Sequence, residues 1–420
     1  MIKSSLNRIE AVIKILIILI LIFYSYVDVR CNVITVIEHN SVNMAVQQAQ
    51  NGDTVLIRKG TYLETSIKIK SELTIIGEKG SVINAEGRGE NVIEITSDNV
   101  TITGLEIQNV AVSYVSDNAA VKLIKVKNCK VSNCRIYNGF FGIYLAKSYN
   151  CKIENNDIIS SGKKESSNGN GIHLWQCSNI EVANNKVSGH RDGIYFEFVK
   201  HGIIFNNLSE RNVRYGLHFM FSDSCKYENN TFRHNGAGVA VMYTKCVEMT
   251  GNRFLNNWGT ASYGLLLKDI KDSFIKNNIF KTNTVGIHCE GSNKILIENN
   301  EFIDNGWALR IMANCSENNF KSNNFIGNSF DLSTNSTRSD NTFSGNYWSR
   351  YKGYDLNHDG FGDIPFRPVT LFSVLVQKYE PTVILLHSLF LDLLNFAENL
   401  FPSLIPPTLV DNHPSMEKIS

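Results

Sequence analysis

One phrase recurs along the chain and limits what it can fold into. CKIENNDI (151–158), IEVANNKV (180–187), CKYENNTF (225–232), VEMTGNRF (247–254), SFIKNNIF (273–280) and ILIENNEF (295–302) are variants of a single pattern. Aligned on Asn156, Asn185, Asn206, Asn230, Asn252, Asn278, Asn300 and Asn323, they step by about 22 residues, further where a loop is inserted, and a period of this size marks a solenoid. Between them lie only short alternating stretches broken by Asn, Gly and Ser, with no room for a helix of ordinary length. The pattern predicts an all-β fold, a right-handed parallel β-helix whose coils stack about 4.8 Å apart. It occupies residues 31–348, and its open ends need caps. SVNMAVQQA (41–49) reads as a short amphipathic helix with Ser41 as N-cap, suited to close the N-terminal end.

Each coil carries a second phrase: FGIYLA (141–146), NGIHLW (170–175), DGIYFE (192–197), YGLHFM (215–220), AGVAVM (237–242), YGLLLK (263–268), VGIHCE (285–290) and WALRIM (307–312). From Ile143/Leu145 to Ile287/Cys289, the first and third residues after the glycine are apolar or Cys, so they line the interior, and burying one such chain is worth roughly 1.5–3 kcal/mol. The second and fourth then face outward. The second forms the column Tyr144, His173, Tyr195, His218, Ala240, Leu266, His288, Arg310, which alternation places in solvent. The fourth reads Ala146, Trp175, Glu197, Met220, Met242, Lys268, Glu290, Met312.

Stacking therefore sets His218 beside Met220, with Met242 one coil above and Glu197 one coil below. An imidazole with two thioethers is a soft ligand set, suited to Cu(I) and poorly suited to Ca²⁺. The other reading of the same face is a contact surface, with methionines as adaptable packing residues.

The formal net charge of +1 leaves no excess of basic residues for phosphate binding, which argues against a nucleic-acid partner. Lys3, Arg8 and Lys14 accompany the apolar run Ile15–Phe23, so residues 1–30 read as a signal peptide or membrane anchor. Nine cysteines without a C-x-x-C spacing indicate neither a complete disulfide framework nor a zinc module.

Residues 349–370 form an Asp/Gly-rich loop. DLNHDGFGD sets Asp355, Asn357, Asp359, Phe361 (through its carbonyl) and Asp363 at positions 1, 3, 5, 7 and 9 of a calcium loop, with Gly360 at the sharp turn. Position 12 is Phe366 instead of Glu, and an Asx-rich turn accounts for the same residues. In the final segment, 371–420, the run 382–401 is apolar nearly all round. Asp392 and Glu398 would be expensive in lipid, so a C-terminal α-helix docking on a partner through Leu385, Leu389, Leu393 and Phe396 fits better.

Three stretches, YGLHFMFS with NGAGVAVMY (235–243), NWGTASYGLLLKD (257–269) and the block from GNYWSRYKGYDLNHDGFGD (345–363) through RPVTLFSVLVQKY to LVDNHP, resemble the NosD family. That resemblance implies a periplasmic or otherwise extracytoplasmic, membrane-associated protein. It also implies work with an ABC transporter's membrane subunit and ATPase, with a copper chaperone, and with the apo nitrous oxide reductase whose copper-sulfide centre is assembled. The expected role is a non-enzymatic maturation factor that handles copper transiently; a calcium ion in the loop is a separate expectation. The competing class is a polysaccharide lyase, epimerase or carbohydrate-binding β-helix. Such an enzyme needs clustered carboxylates and a base, and the outward columns supply only Glu197, Glu290, Lys268 and Arg310.

Overall fold

The computed structural model describes Lys14–Ile15 and residues 31–419, apart from Tyr114, 163–164, 166–167, Thr337, His387 and 402–408. The leader read at 1–30 thus lies outside the described residues, except for Lys14 and Ile15.

Short strands, mostly of three to six residues, build three parallel sheets of 14, 12 and 13 strands. Each strand pairs with its counterpart one coil away, so the chain forms a parallel β-solenoid of about 13 turns. The 12-stranded sheet carries the second phrase, in the expected register: Leu217 pairs with Ile194 and Val239, and Phe219 with Phe196 and Val241. All of these except Val239 are fully buried. In the 13-stranded sheet the interior positions make an aromatic ladder, with Phe254, Phe280, Phe302, Phe325 and Trp348 stacked at centroid spacings of 4.6, 4.9, 4.9 and 4.1 Å.

The doubled asparagine has a two-part explanation. The first Asn turns the corner in the left-handed region, as at Asn155 (φ 56°), Asn184 (54°), Asn229 (55°) and Asn299 (56°), a conformation Asn tolerates better than most residues. The second Asn points inward. Asn156, Asn185, Asn207, Asn230, Asn252, Asn278, Asn300, Asn323 and Asn346 form one buried file. In it each backbone N–H and side-chain Nδ2 donates to the Oδ1 of the next, for example Asn278 to Asn300 at 2.9 and 2.9 Å. The file corrects the alignment at one coil, since Asn206 (φ 55°) is the corner residue and Asn207 the ladder member. A second file runs through Asn212, Asn235, Asn257, Asn283, Asn305 and Asn328.

Both ends are closed. The helix Val42–Gln48 starts at Ser41, whose hydroxyl accepts from Met44 N–H, and Glu64 accepts from the N–H groups of Val42 and Asn43. Its Val42, Ala45 and Val46 are buried over the first coils. At the other end the segment 409–419 returns and lays itself on the last coil, with Phe343 bridged to Asp411 and Tyr347 to Ser415. Asp411, fully buried, accepts through Oδ2 from Asn346 N–H (3.1 Å), Asn346 Nδ2 (2.9 Å) and Trp348 Nε1 (3.1 Å).

The helix expected over 382–401 is broken. The chain forms a helix at Leu371–Lys378, a 3-10 turn at Glu380–Leu385 and a second helix at Leu389–Leu400. Ser388 starts the second helix with its hydroxyl accepting from Leu391 N–H, and Pro381 lies at the start of the 3-10 turn. Among the described residues no helix is long and apolar enough to cross a membrane. Seven of the nine cysteines are buried, and Cys31 and Cys246 are exposed.

Asp411→Ala strands three buried donors and the half-buried His413 N–H, at about 1–3 kcal/mol for each buried one that finds no other partner. Asp411→Asn keeps an acceptor. Urea denaturation should rank wild type above Asn and Asn above Ala.

Candidate functional site

The 12-stranded sheet brings the copper-type residues together as the register demands. Glu197 pairs with Met220, Met220 with Met242, and Tyr195 with His218, which pairs in turn with Ala240. Glu197, Met220 and Met242 are half-buried on the outer face. Among the described residues no cluster of three or more His, Cys, Asp or Glu side chains is arranged to hold a metal.

One expectation is corrected. His218 points away from the interior but not into solvent, being only 3% exposed. Tyr144, His173, Ala240 and Leu266 of the same column are buried as well. The cause is the column itself: bulky rings in register stack on each other, Tyr144 on His173 at 4.4 Å and His173 on Tyr195 at 4.7 Å, and Tyr195 meets His218 edge-on at 4.9 Å. Lys122 covers the ring of Tyr144, and Phe141 packs on both Tyr144 and His173. Burial drives the His173 imidazole down to about 3 and lifts the Tyr195 phenol to about 12, the nearby carboxylate of Glu197 adding to the latter. Tyr195 Oη stands 3.8 Å from the Met220 sulfur.

Around His218 lies a polar group that the second phrase did not reveal. Asp192, fully buried, places Oδ2 3.5 Å from His218 Nδ1 and accepts through Oδ1 from Tyr215 N–H. Arg214 sets its guanidinium 3.3 Å from the same Nδ1 and pairs with Glu165 at 3.3 Å. His218 Nε2 is buried without a hydrogen-bond partner among the described residues, as is Asp192 Oδ2. The clue was present in the sequence: at the first position of the second phrase the other coils carry Phe141, Asn170, Tyr215, Ala237, Tyr263, Val285 and Trp307, and Asp192 alone is a carboxylic acid.

The corner after the fourth position was also missed. Phe198, Phe221 and Tyr243 occupy it in three successive coils, stacked at 5.2 and 5.1 Å and 41–46% exposed. Their φ angles of 55°, 49° and 56° are strained for aromatic residues. They follow Glu197, Met220 and Met242 directly in the chain.

The calcium-type loop satisfies itself. Asp355 accepts from Asp359 and Gly360 N–H, Asn357 and Asp359 accept from Asp359 and Phe361 N–H, and Asp363 accepts from Leu356 N–H. Asn357 Nδ2 donates to the second oxygen of Asp359. Phe366, where such a loop would close with a bidentate carboxylate, instead packs on Trp348 at 5.2 Å. These bonds are those of an Asx-rich turn.

The four docking residues divide. Leu385 packs inward on a cluster with Val285, Trp307, Phe330, Phe372 and Val376, so it belongs to the fold. Leu389, Leu393 and Phe396 are 74, 59 and 62% exposed along one stripe of the last helix.

Residues 159–353 match the family model of NosD, described as a periplasmic copper-binding protein. That span contains the whole Asp192, His218, Met220, Met242 group. The match to NosD extends further in single relatives: the probable ABC transporter binding protein NosD of Stutzerimonas stutzeri is 28% identical over 369 residues, covering 83% of this chain and 84% of the relative. The protein of the same name from Pseudomonas aeruginosa is 28% identical over 358 residues, with 81 and 82% covered. Among solved structures, the chain resembles a family 28 exopolygalacturonase of Yersinia enterocolitica (14% identity, 74% of this chain and 78% of that one, TM-score 0.57). It also resembles the A-module of an Azotobacter vinelandii mannuronan C-5 epimerase (13%, 73 and 90%, TM-score 0.51). At such identities the likeness is one of fold.

His190 continues the second Asn file, its N–H donating to Asn212 Oδ1, yet both ring nitrogens are buried without hydrogen-bond partners among the described residues. Burial pushes this imidazole from 6.5 to about 4. The unfolded chain therefore takes up a proton near pH 6.5 that the folded chain refuses until about pH 4, so this contribution to stability is complete above 6.5 and lost as the pH falls through that window. His190→Asn should extend the file and flatten the fall in melting temperature between pH 7 and pH 5.

Proposed function

We propose that this protein is a non-enzymatic, extracytoplasmic factor that holds copper transiently and helps deliver it to apo nitrous oxide reductase, together with an ABC transporter and a copper chaperone. The observation that carries the reading is the soft-ligand stack, His218, Met220 and Met242, in register on one outer face within the span that matches NosD. Thioether and imidazole together select Cu(I) over the hard cations. Copper is cargo here, so a site with few ligands, able to release its ion, suits the task.

Association with the transporter falls to the last helix. Leu389, Leu393 and Phe396 form an apolar stripe that the solenoid leaves uncovered, while the inward side of the same region holds to Phe372 and Trp307. The glycan-processing alternative draws on the fold; of its acid–base candidates Glu197, Lys268 and Glu290 are half-buried on the outer face, and Lys268 is paired with Glu290 at 3.4 Å.

Met220→Leu with Met242→Leu preserves volume and should cost less than about 1.5 kcal/mol. It should sharply weaken Cu(I) binding in an anaerobic chelator competition, and His218→Ala should weaken it further. Unchanged affinity in the double methionine variant and in His218→Ala would transfer these side chains to a packing role. For the helix, deletion beyond Arg367 is a poor test because it also removes the Asp411 cap. Leu389→Ser, Leu393→Ser and Phe396→Ser combined should leave the melting temperature within a few degrees of wild type and abolish co-purification with the transporter's membrane subunit.

A further inference from the structure

We infer that Asp192 and Arg214 compete for His218 Nδ1, and that the winner decides whether Nε2 can take a metal ion. The inference rests on the copper reading above and assigns positioning residues to that site. His218 Nδ1 stands between two groups of opposite hydrogen-bonding character, the Arg214 guanidinium at 3.3 Å and Asp192 Oδ2 at 3.5 Å. Arginine only donates and an ionised carboxylate only accepts. A neutral imidazole has one N–H to place, so the two contacts are mutually exclusive.

With Arg214 donating to Nδ1, the ring proton resides on Nε2, which then has no lone pair for a metal. With the proton on Nδ1 and directed at Asp192 Oδ2, Nε2 presents its lone pair. This is the arrangement in which a carboxylate behind a histidine orients it as a ligand. The change moves one proton between two ring nitrogens and leaves the charge of the group unaltered. The surroundings permit both states. Asp192 Oδ1 is engaged with Tyr215 N–H, leaving Oδ2 for the imidazole, and Arg191 Nε lies 3.8 Å from that same oxygen. Arg214 has a second anion in Glu165 at 3.3 Å and stacks on the Tyr215 ring at 4.7 Å, so it can leave Nδ1 without losing its partners. In the next coil the strand partner of His218 is Ala240, a small residue.

Two variants of the full chain test this with opposite expected signs. Asp192→Asn keeps an acceptor for Tyr215 N–H and turns a donor toward Nδ1, fixing the Nε2–H form; Cu(I) affinity should fall about tenfold or more. Arg214→Leu removes the competing donor, and Cu(I) affinity should rise. A purely structural role for the pair predicts loss in both or change in neither, and either result overturns the inference. Long-range ¹⁵N–¹H spectra of histidine-labelled apo protein give the independent readout. The His218 ring should shift toward the Nδ1–H form in Arg214→Leu and toward Nε2–H in Asp192→Asn, and one unchanging tautomer across the variants also overturns it. If Asp192→Asn does not fold, Arg214→Leu decides by affinity and spectrum together. Failure of the copper reading is distinguishable, because then the methionine and His218→Ala variants leave Cu(I) affinity unchanged whatever the tautomer does.

Discussion

A primary amide buried in an apolar interior is destabilising unless both its N–H and its C=O find partners. Here each coil buries one such amide from Asn156 to Asn346, and each Nδ2 is shared between a main-chain carbonyl of the coil before and the side-chain oxygen of the equivalent position one coil on, which at the end of the file is Asp411. That requirement fixes how coils sit on one another. Longer steps, such as the 29 residues between Asn156 and Asn185, must be expelled as loops because the ladder cannot absorb them. The same fixed stacking brings Met220 over Glu197 and under Met242, so the outer-face chemistry inherits its alignment from hydrogen bonds on the inside.

Much of this was legible from the residues. Period and alternation gave the sheets, the inward file Leu217/Phe219 and the neighbours of Met220, because a parallel stack translates sequence spacing almost directly into position. The errors arose where a side chain's surroundings come from several coils at once. His218 faces outward as the alternation says, yet the rings of Tyr195 and Tyr215 pack on it and the column closes over itself. Asn206 and Asn207 differ only in backbone angle, which the letters NN do not distinguish. Asp192 was visible as an odd residue in its column, but that Arg214, one coil on, shares its histidine could be seen only in three dimensions.

The terminal region shows the other limit of periodic reading. A continuous apolar run suggested one helix, and local capping by Ser388 broke it, turning Leu385 toward Phe372 while leaving Leu389, Leu393 and Phe396 outside. The segment 409–419 has no repeat signature, and its role follows from contacts with residues more than sixty positions earlier. Phe366 likewise closes on Trp348 in place of closing a cation loop.

The buried carboxylate of Asp411 gives the file a direction. An asparagine amide both accepts and donates, so each one passes the pattern on; a carboxylate accepts and passes nothing forward. The ladder therefore behaves like a growing polymer with a built-in terminator at one end only. Any further coil at that end would meet an acceptor where propagation needs a donor, so the ladder ends at Asp411.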